Sequence, residues 1–507
     1  MTKQLRKHSF LLYCFALAAV YLLISSKSSP LYPMNDWVDV NCFYTMGSSL
    51  LAGKVPYVDL YEQKGPVLYF IYALIALLSP NSFFGVYVME VITYGLFLYF
   101  SGLIAALYLG RDWKMWFIVA IEGAIILVTY AFAHGASVEE MCLFMSAYGL
   151  YVTLRAIKED RTLRFREAFI CGIFSGILLW IKYTMLGLYL GLAIFIVVWY
   201  LCWGFRWREL LKTVGAFFGG LGIVTAVVFV YFLANGALEE LYTVYFYNNI
   251  FLYAKEPEGS KLQSIYECVK HTIQLNEAYT WLFLPGLIWA AVRAVKDIRP
   301  LLMLVLTFLG LSLGTYWGGW KISYYGLVFA VYTVFGLIAF GEILKLIRID
   351  WLLKKVKLYN VWLCALALVI LVAGMCGFCL EKGRNVYLMG TPKEELPQYR
   401  FAEKIAAVED ATLLNYGFLD GGFYFAADVV PNCYFFCQLN VSAPEMFATQ
   451  RKFVNERLVD FVVTRDRALD EYYNIDTSGY ICVDQMEFYF EGKMRTYYLW
   501  QKIEAVG

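Results

Sequence analysis

NDWVDVNCFYTMGSSLLAGKVPYVDLYEQKGPVLYFIYA, residues Asn35 to Ala73, is the one long polar-and-charged stretch between the first two apolar runs of the chain. It carries Asp36, Asp39, Asp59, Glu62 and Lys64 in a 507-residue sequence that is 61% hydrophobic and only 16% charged, with a mean hydropathy of +0.58. That composition excludes an ordinary soluble globule and points to a polytopic membrane protein. Charged groups beside a membrane lose hydration that a ligand, a partner or a metal has to replace, so their presence marks function. The stretch is the candidate active site.

Its last part decides the topology. Pro66 to Leu78 is apolar but only about thirteen residues long, whereas a span needs roughly twenty. It therefore reads as an interfacial helix lying under the loop. Upstream, Lys3, Arg6 and Lys7 precede an apolar run from Phe10 to Ser25 with no small-x-small cleavage site, which predicts an uncleaved first span, a cytoplasmic N-terminus and an outer first loop over 26–82. Ten more spans follow: Phe83 to Leu109, Trp116 to Ala131, Met141 to Leu154, Phe169 to Ile181, Met185 to Trp203, Val214 to Leu233, Trp281 to Val292, Leu301 to Leu313, Gly326 to Ile343 and Val361 to Leu380. With about eleven spans, the inner loops collect Arg111 and Lys114, then Arg155, Lys158, Arg161, Arg164 and Arg166, then Arg206, Arg208 and Lys212, then Arg293, Lys296 and Arg299, and last Lys345, Arg348, Lys354, Lys355 and Lys357. The outer loops hold far fewer, among them Lys255. Counting Pro66 to Leu78 as a span would turn the Arg155 to Arg166 cluster outward, against the preference of positive charge for the inside.

The expected fold class is an all-α polytopic membrane domain over 1–380, followed by a small extracytoplasmic α/β domain over 381–507. In the latter, Thr412 to Tyr416, Tyr434 to Cys437, Leu458 to Thr464 and Tyr497 to Trp500 read as strands, and Lys393 to Glu409 and Ala443 to Glu456 as helices. Asn235 to Glu277 reads as a long aromatic-rich outer loop. Most of the twelve cysteines sit in apolar runs as small hydrophobes; Cys433, Cys437 and Cys482 could pair outside the cell, with one left over. A net charge of +1, with basic residues scattered through short loops, gives no nucleic-acid surface.

In this topology the outer face gathers Asp36, Asp39, Asp59, Glu62 and Lys64 with Glu139, Glu140, Lys182 and Lys321. Carboxylates and lysines together suit a reaction in which a hydroxyl loses a proton and a lipid phosphate departs. A carboxylate can act as the general base. Lysines, or a divalent cation such as Mg²⁺ or Mn²⁺ held by spare carboxylates, can meet the charge on the leaving group.

The runs Asp39-Val-Asn-Cys-Phe-Tyr44, Leu51-Ala-Gly-Lys-Val-Pro-Tyr57-Val-Asp59 and Glu62-Gln-Lys64-Gly-Pro66 resemble the first extracytoplasmic loop of GT-C glycosyltransferases. The resemblance is to the bacterial branch that includes protein O-mannosyltransferases and the transferase that places aminoarabinose on lipid A, the glycosyltransferase family 39 type. Val138-Glu139-Glu140 and the Gly176 to Lys182 run resemble later landmarks of that family. The resemblance implies a polyprenyl-phosphate sugar donor, membrane lipid as the donor's anchor, Asp39 as catalytic base with Asp36 beside it, and inversion at the anomeric carbon. It also implies an envelope glycan, a teichoic-type polymer or a protein as acceptor. Two positions depart from the pattern. Val40 stands where a second acidic residue often follows the aspartate, and Ile322-Ser323-Tyr324-Tyr325 stands where relatives often carry His-Tyr.

Each residue also has a structural reading. Asp39 could cap a helix starting near Asn41, Asp36 could be solvated, and Asp59 could be a turn residue after Pro56-Tyr57. Glu62 and Lys64 could pair with each other at the surface, and Lys182 could snorkel from a span end. Glu139 and Glu140 are adjacent, so they face different sides of a helix. His134 fits a satisfied interfacial residue, and Cys376-Gly-Phe-Cys379 fits packing in a span end. The competing function classes are a flippase of lipid-linked sugars and a non-catalytic envelope assembly protein. A transporter tends to show internal repeats and charge near the membrane midplane, and neither is visible here.

Overall fold

The computed structural model describes residues 3–111, 113–204, 206–253, 259–346, 361–441 and 443–503. Lys255, Arg348, Lys354, Lys355 and Lys357 lie outside the described residues. The first nine helices are α1 (Lys3–Ser25), α2 (Val38–Leu51), α3 (Pro66–Leu78), α4 (Phe84–Leu109), α5 (Trp113–Leu127), α6 (Val138–Lys158), α7 (Phe165–Lys182), α8 (Gly187–Cys202) and α9 (Trp207–Ala234). Further long helices run over Lys261–Leu275, Glu277–Ala294, Arg299–Tyr316, Thr333–Leu346 and Val361–Lys382. Among the described residues seven helical stretches are long and apolar enough to cross a membrane. One of these, Phe165–Cys202, is interrupted by the 3-10 turn Tyr183–Leu186. The remaining expected spans fall on α5, α6 and Glu277–Ala294, which are shorter or carry charge near their ends. α3 covers the thirteen residues expected of it, with Pro66 at its first position, where the missing N–H costs nothing.

The stretch read as a loop between Asn235 and Glu277 is instead helical over much of its length, with a short turn Leu238–Glu240 leading into a π-helix over Leu241–Leu252 and then an α-helix over Lys261–Leu275. The second was within reach of the sequence. Ser260 accepts the Gln263 N–H as an N-cap, and Ile265, Cys268 and Thr272 recur at helical spacing on the buried face.

The chain forms two compact units. The first consists of Met1–Ser29, Tyr87–Val227 and Lys255–Tyr387. Within it, helices approach through glycines. Gly187 and Gly191 on α8 face Gly310 and Gly314 on Arg299–Tyr316, and a Cβ on Gly191 would lie 2.3 Å from the Leu306 carbonyl oxygen. Small residues four apart on both helices let backbones meet where lipid gives no hydrophobic drive to associate.

The second unit consists of Pro30–Val86, Val228–Ala254 and Leu388–Gly507. Its sheet has β1 (Leu413–Asn415), β2 (Phe461–Arg465), β3 (Tyr480–Phe490) and β4 (Lys493–Lys502) in the order β1-β2-β4-β3. β1 and β2 are parallel, and the other pairs are antiparallel. Glu491 and Gly492, both at positive φ, make the two-residue turn of the β3–β4 hairpin. Leu414, Val454, Val459, Val462 and Trp500 pack in its core. The strand expected at Tyr434 to Cys437 does not form. Cys433, Phe435, Phe436 and Cys437 are all buried, so the run lacks the alternation of a half-solvated strand. Its carbonyls accept from elsewhere: Tyr434 from the Tyr61 N–H at 2.8 Å, Phe435 from Gln450 at 2.9 Å and Phe436 from the Tyr424 hydroxyl at 2.7 Å. β3 escaped the sequence reading because polar residues interrupt it: Gln485 and Glu487 are exposed on an edge strand, and Asp484, though buried, is paired with Arg400 and Lys404.

In the same unit α2 crosses α3 at Gly47, where a Cβ would stand 2.5 Å from the Tyr72 carbonyl carbon and 2.6 Å from the Ala73 nitrogen. Backbone cannot yield as a side-chain tip can. Gly47→Ala should therefore destabilise the protein by about 1–3 kcal/mol, seen as a lower midpoint of thermal unfolding in detergent; an unchanged midpoint would show that the two helices do not meet there.

Candidate functional site

The second unit holds Asp36, Asp39, Asp59, Glu62 and Lys64; the first holds Glu139, Glu140, Lys182 and Lys321. In the second, residues 55–64 form a tight knot. Tyr57 takes a positive φ of 71°, and Asp59 Oδ2 accepts the Val55 N–H at 2.6 Å while its own N–H donates to the Val55 carbonyl. Asp59 thus closes a turn. The Tyr57 ring stacks on Phe232 of α9 with centroids 5.6 Å apart, and its hydroxyl donates to the Lys64 carbonyl at 2.5 Å. Glu62, only 2% exposed, accepts the Lys64 N–H at 2.7 Å and the hydroxyl of Tyr69 on α3. Burial first, then the charge of Glu62, hold the Tyr69 phenol well above its usual range, so it stays a donor. The Lys64 ammonium lies 4.0 Å from Glu62 Oε1 and 5.7 Å from the ring centroid of Phe43 on α2.

The π-helix grips the same knot. Asn248 donates to the Tyr61 hydroxyl at 3.1 Å and Asn249 to the Gln63 carbonyl at 2.7 Å. Tyr57, Tyr69, Asn248 and Asn249 went unmarked in the sequence, where neutral side chains carry no signal of charge kept near a membrane. The Tyr57 position did offer one, a Pro-Tyr turn just before the acidic run.

α2 begins at Val38, three residues earlier than the sequence suggests. Trp37 is its N-cap residue, with no side-chain cap bond, and Asp39 lies inside the first turn. Asp39 is therefore not the capping residue; a carboxylate there still meets the positive end of the helix dipole. Asn41 fixes the entry, donating to the carbonyls of Asn35 and Trp37 at 3.0 and 2.8 Å. Asp36 is buried and Asp39 half-buried. Asp39 and Phe43 are four residues apart and so share a face, the face over which Lys64 sits. Other residues of α2 dock on the C-terminal segment. Thr45 donates to Asp420 Oδ2 at 2.7 Å, the Gly422 N–H donates to Asp420 Oδ1 at 2.9 Å, and Tyr44 meets Phe425 edge-on with centroids 4.8 Å apart. Asp420 is fully buried; that burial, partly offset by Thr45 and the Gly422 N–H, pushes its carboxyl up to about 6.

In the first unit Ser137 caps α6 by accepting the Glu140 N–H at 3.1 Å. Glu139 and Glu140 then diverge. Glu139 pairs with Lys182 at 2.5 Å, and the Lys182 ammonium lies 3.8 Å from the ring centroid of Tyr325. Glu140 Oε2 accepts the Ala136 N–H at 2.9 Å, a donor it shares with Glu90 Oε1 at 2.7 Å; Ser26 also donates to Glu90. Tyr325 comes from the Ser323–Tyr332 turn where a His-Tyr was absent. Lys321 is exposed. Burial, then Lys27 and Arg384, push the His134 imidazole well below its usual value, so it is neutral. Among the described residues no three His, Cys, Asp or Glu side chains are grouped to hold a metal ion.

Around these residues the chain has the fold of a helical membrane protein with a small mixed C-terminal sheet. Two solved structures share that fold. The crystal structure of ArnT from Cupriavidus metallidurans bound to undecaprenyl phosphate superposes with a TM-score of 0.59 at 15% identity, over 97% of this chain and 97% of that one. The apo form of the same protein gives 0.59 at 14% identity, over 96% and 97%. No family model and no curated protein sequence matches the chain.

Asp420 gives a test of how α2 is seated. Its folded value exceeds the ordinary one near 3.8, so the folded state holds the proton more tightly. The stability this contributes is complete below about pH 4 and lost as pH rises through about 6, on the order of 3 kcal/mol in all. Asp420→Asn should flatten that part of the stability–pH curve and raise the unfolding midpoint at pH 7.5; a variant that tracks wild type from pH 4 to 7.5 would show that Asp420 is already ionised.

Proposed function

We propose that this protein is a membrane glycosyltransferase that moves one sugar from a polyprenyl-phosphate-linked donor to a hydroxyl of an acceptor outside the cytoplasm. The observation that carries this reading is the Lys64 ammonium lying over Phe43, on the face of α2 that also bears Asp39. A base and a phosphate-directed cation on one face are what displacement at an anomeric carbon needs. The whole-length likeness to a transferase crystallised with undecaprenyl phosphate supports the donor class.

In the proposed reaction Asp39 takes the proton of the acceptor hydroxyl as its oxygen attacks the anomeric carbon. The bond from that carbon to the phosphate oxygen breaks, and the polyprenyl phosphate leaves with its charge met by Lys64. Attack opposite the leaving group inverts the configuration. Glu62 and Tyr69 hold the Lys64 backbone, which aims the ammonium. Lys64 is assigned the phosphate charge, with a divalent cation such as Mg²⁺ or Mn²⁺, bridging a carboxylate and the phosphate, as the alternative carrier of it. Lys182, kept at Glu139 and Tyr325, is a second candidate contact for an anionic lipid. The acceptor is an envelope glycan, a teichoic-type polymer or a protein, positioned by the C-terminal domain outside the cell, with the N-terminus inside.

Sugar transfer by the purified protein, offered a panel of polyprenyl-phosphate sugars and an envelope extract, tests the reading. Asp39→Asn should lower turnover roughly 10²- to 10⁴-fold with an unfolding midpoint like that of wild type. Full activity in that variant would remove Asp39 as base and shift attention to Asp36. Lys64→Met should cost about 10²-fold, mainly in kcat. A wild type that transfers nothing yet moves a lipid-linked sugar across vesicles would replace the enzyme by a transporter.

A further inference from the structure

Cys42 on α2 and Cys437 in the C-terminal segment stand with their sulfurs 3.7 Å apart. Both side chains are buried, and all the cysteines are free thiols in this structure. We propose that Cys42 and Cys437 are a disulfide-forming pair that staples the helix bearing Asp39 to the C-terminal domain. The inference rests on the exterior placement of this unit proposed above.

Sulfurs at 3.7 Å are in contact but not bonded; a disulfide needs about 2.05 Å. The gap of less than 2 Å is what a change of side-chain rotamer would have to close, between two backbones that must already be held. They are. On one side Thr45 binds Asp420 and Tyr44 packs on Phe425, within one turn of Cys42. On the other, the run before Cys437 is fixed by Gln450 on the Phe435 carbonyl and Tyr424 on the Phe436 carbonyl, and the Gln438 N–H donates to the Phe418 carbonyl at 2.9 Å. The pair is thus set by hydrogen bonds on both flanks.

The remaining cysteines of the C-terminal domain are placed otherwise. Cys433 is buried with its thiol toward the Phe435 carbonyl at 3.5 Å, and Cys482 is exposed on β3 with its thiol toward the Asp484 carbonyl at 3.4 Å. The partner of Cys437 lies 395 positions away, in the first loop. A link across so long a loop removes much of the freedom of the unfolded chain.

The chemistry needs a disulfide-bearing oxidant of the exterior, a thiol–disulfide oxidoreductase or oxidised glutathione. One cysteine thiolate attacks a sulfur of that oxidant, breaking its S–S bond to leave a mixed disulfide and one thiol, and the second thiolate attacks the first cysteine's sulfur and expels the oxidant's other thiol. Two S–H bonds are lost, one S–S bond forms, and two protons and two electrons leave with the oxidant as two thiols. Burial holds both thiols above their usual range in the docked state, so exchange belongs to the stage before α2 seats, and the finished bond is shielded from reductants.

The experiment is peptide mapping of the full-length protein from cells lysed in denaturant with N-ethylmaleimide, digested without reductant. The expected result is one joined peptide pair containing Cys42 and Cys437, lighter by two hydrogens than the separate thiol peptides and released by reduction, with Cys433 and Cys482 alkylated. Cys42→Ser should abolish the joined pair and leave Cys437 alkylated. In parallel, Tyr473→Cys, at a position 83% exposed in the same unit, is treated on intact cells with a membrane-impermeant maleimide. Alkylated Cys42 and Cys437 alongside a labelled Tyr473→Cys overturn the disulfide while the exterior placement stands. Alkylation of both with Tyr473→Cys unlabelled overturns the exterior placement, and the disulfide falls with it.

Discussion

A carboxylate that is 2% exposed, Glu62, governs the second unit. A carboxyl group taken out of water is costly unless its lone pairs are met. The chain meets them locally, with the Lys64 N–H and the Tyr69 hydroxyl. That choice has consequences in sequence. Residues 62–64 must curl back on themselves, Tyr69 must come up from the first turn of α3, and the carbonyl of Lys64, turned toward Tyr57 and Tyr69, directs its side chain the other way, over Phe43. The π-helix asparagines add the last restraint. Lys64 is then a residue whose backbone is bound on both of its hydrogen-bonding groups and whose side chain, 15% exposed, lies beside Glu62 and the Phe43 ring.

The first unit solves the same problem with different partners. Glu139 and Glu140 sit in the first turn of one helix, and their neighbours in sequence would give them equal environments. The helix separates them by about 100°, so Glu139 reaches Lys182 at the end of α7 and Glu140 shares the Ala136 N–H with Glu90. Lys182 pairs at 2.5 Å and also meets an aromatic face, so it is more than a span-end lysine reaching for water. Adjacent acidic residues therefore carry two jobs, one toward a cation and one inside the bundle.

How much of this was legible follows from which forces act locally. α3 could be read to the residue because proline fixes its start and thirteen apolar residues are too few to span. The long apolar helices were readable because lipid rewards continuous hydrophobicity, although seven of the described stretches, not eleven, are long and apolar enough to cross a membrane; the acidic positions were readable because charge is scarce. Helix Lys261–Leu275 hid behind the aromatic surroundings of its loop, and Tyr434 to Cys437 passed for a strand because burial on every side resembles a buried strand until the carbonyl partners are known. The supporting residues Tyr57, Tyr69, Asn248 and Asn249 act through contacts reaching up to 187 positions along the chain, which no local pattern encodes.

The likeness to ArnT at 15% identity shows which constraints are strict. A bilayer fixes helix lengths and forces backbones to satisfy themselves, so a fold can persist while most side chains change. Chemistry is held by far fewer positions, and fold alone does not carry it. Tyr325, from the Ile322-Ser-Tyr-Tyr325 run, places its ring under Lys182 at 3.8 Å. An aromatic face stabilises an ammonium without neutralising it, whereas a carboxylate alone would mask much of its charge. Glu139 and Tyr325 together fix Lys182, the carboxylate by its charge and the ring by its electronegative face.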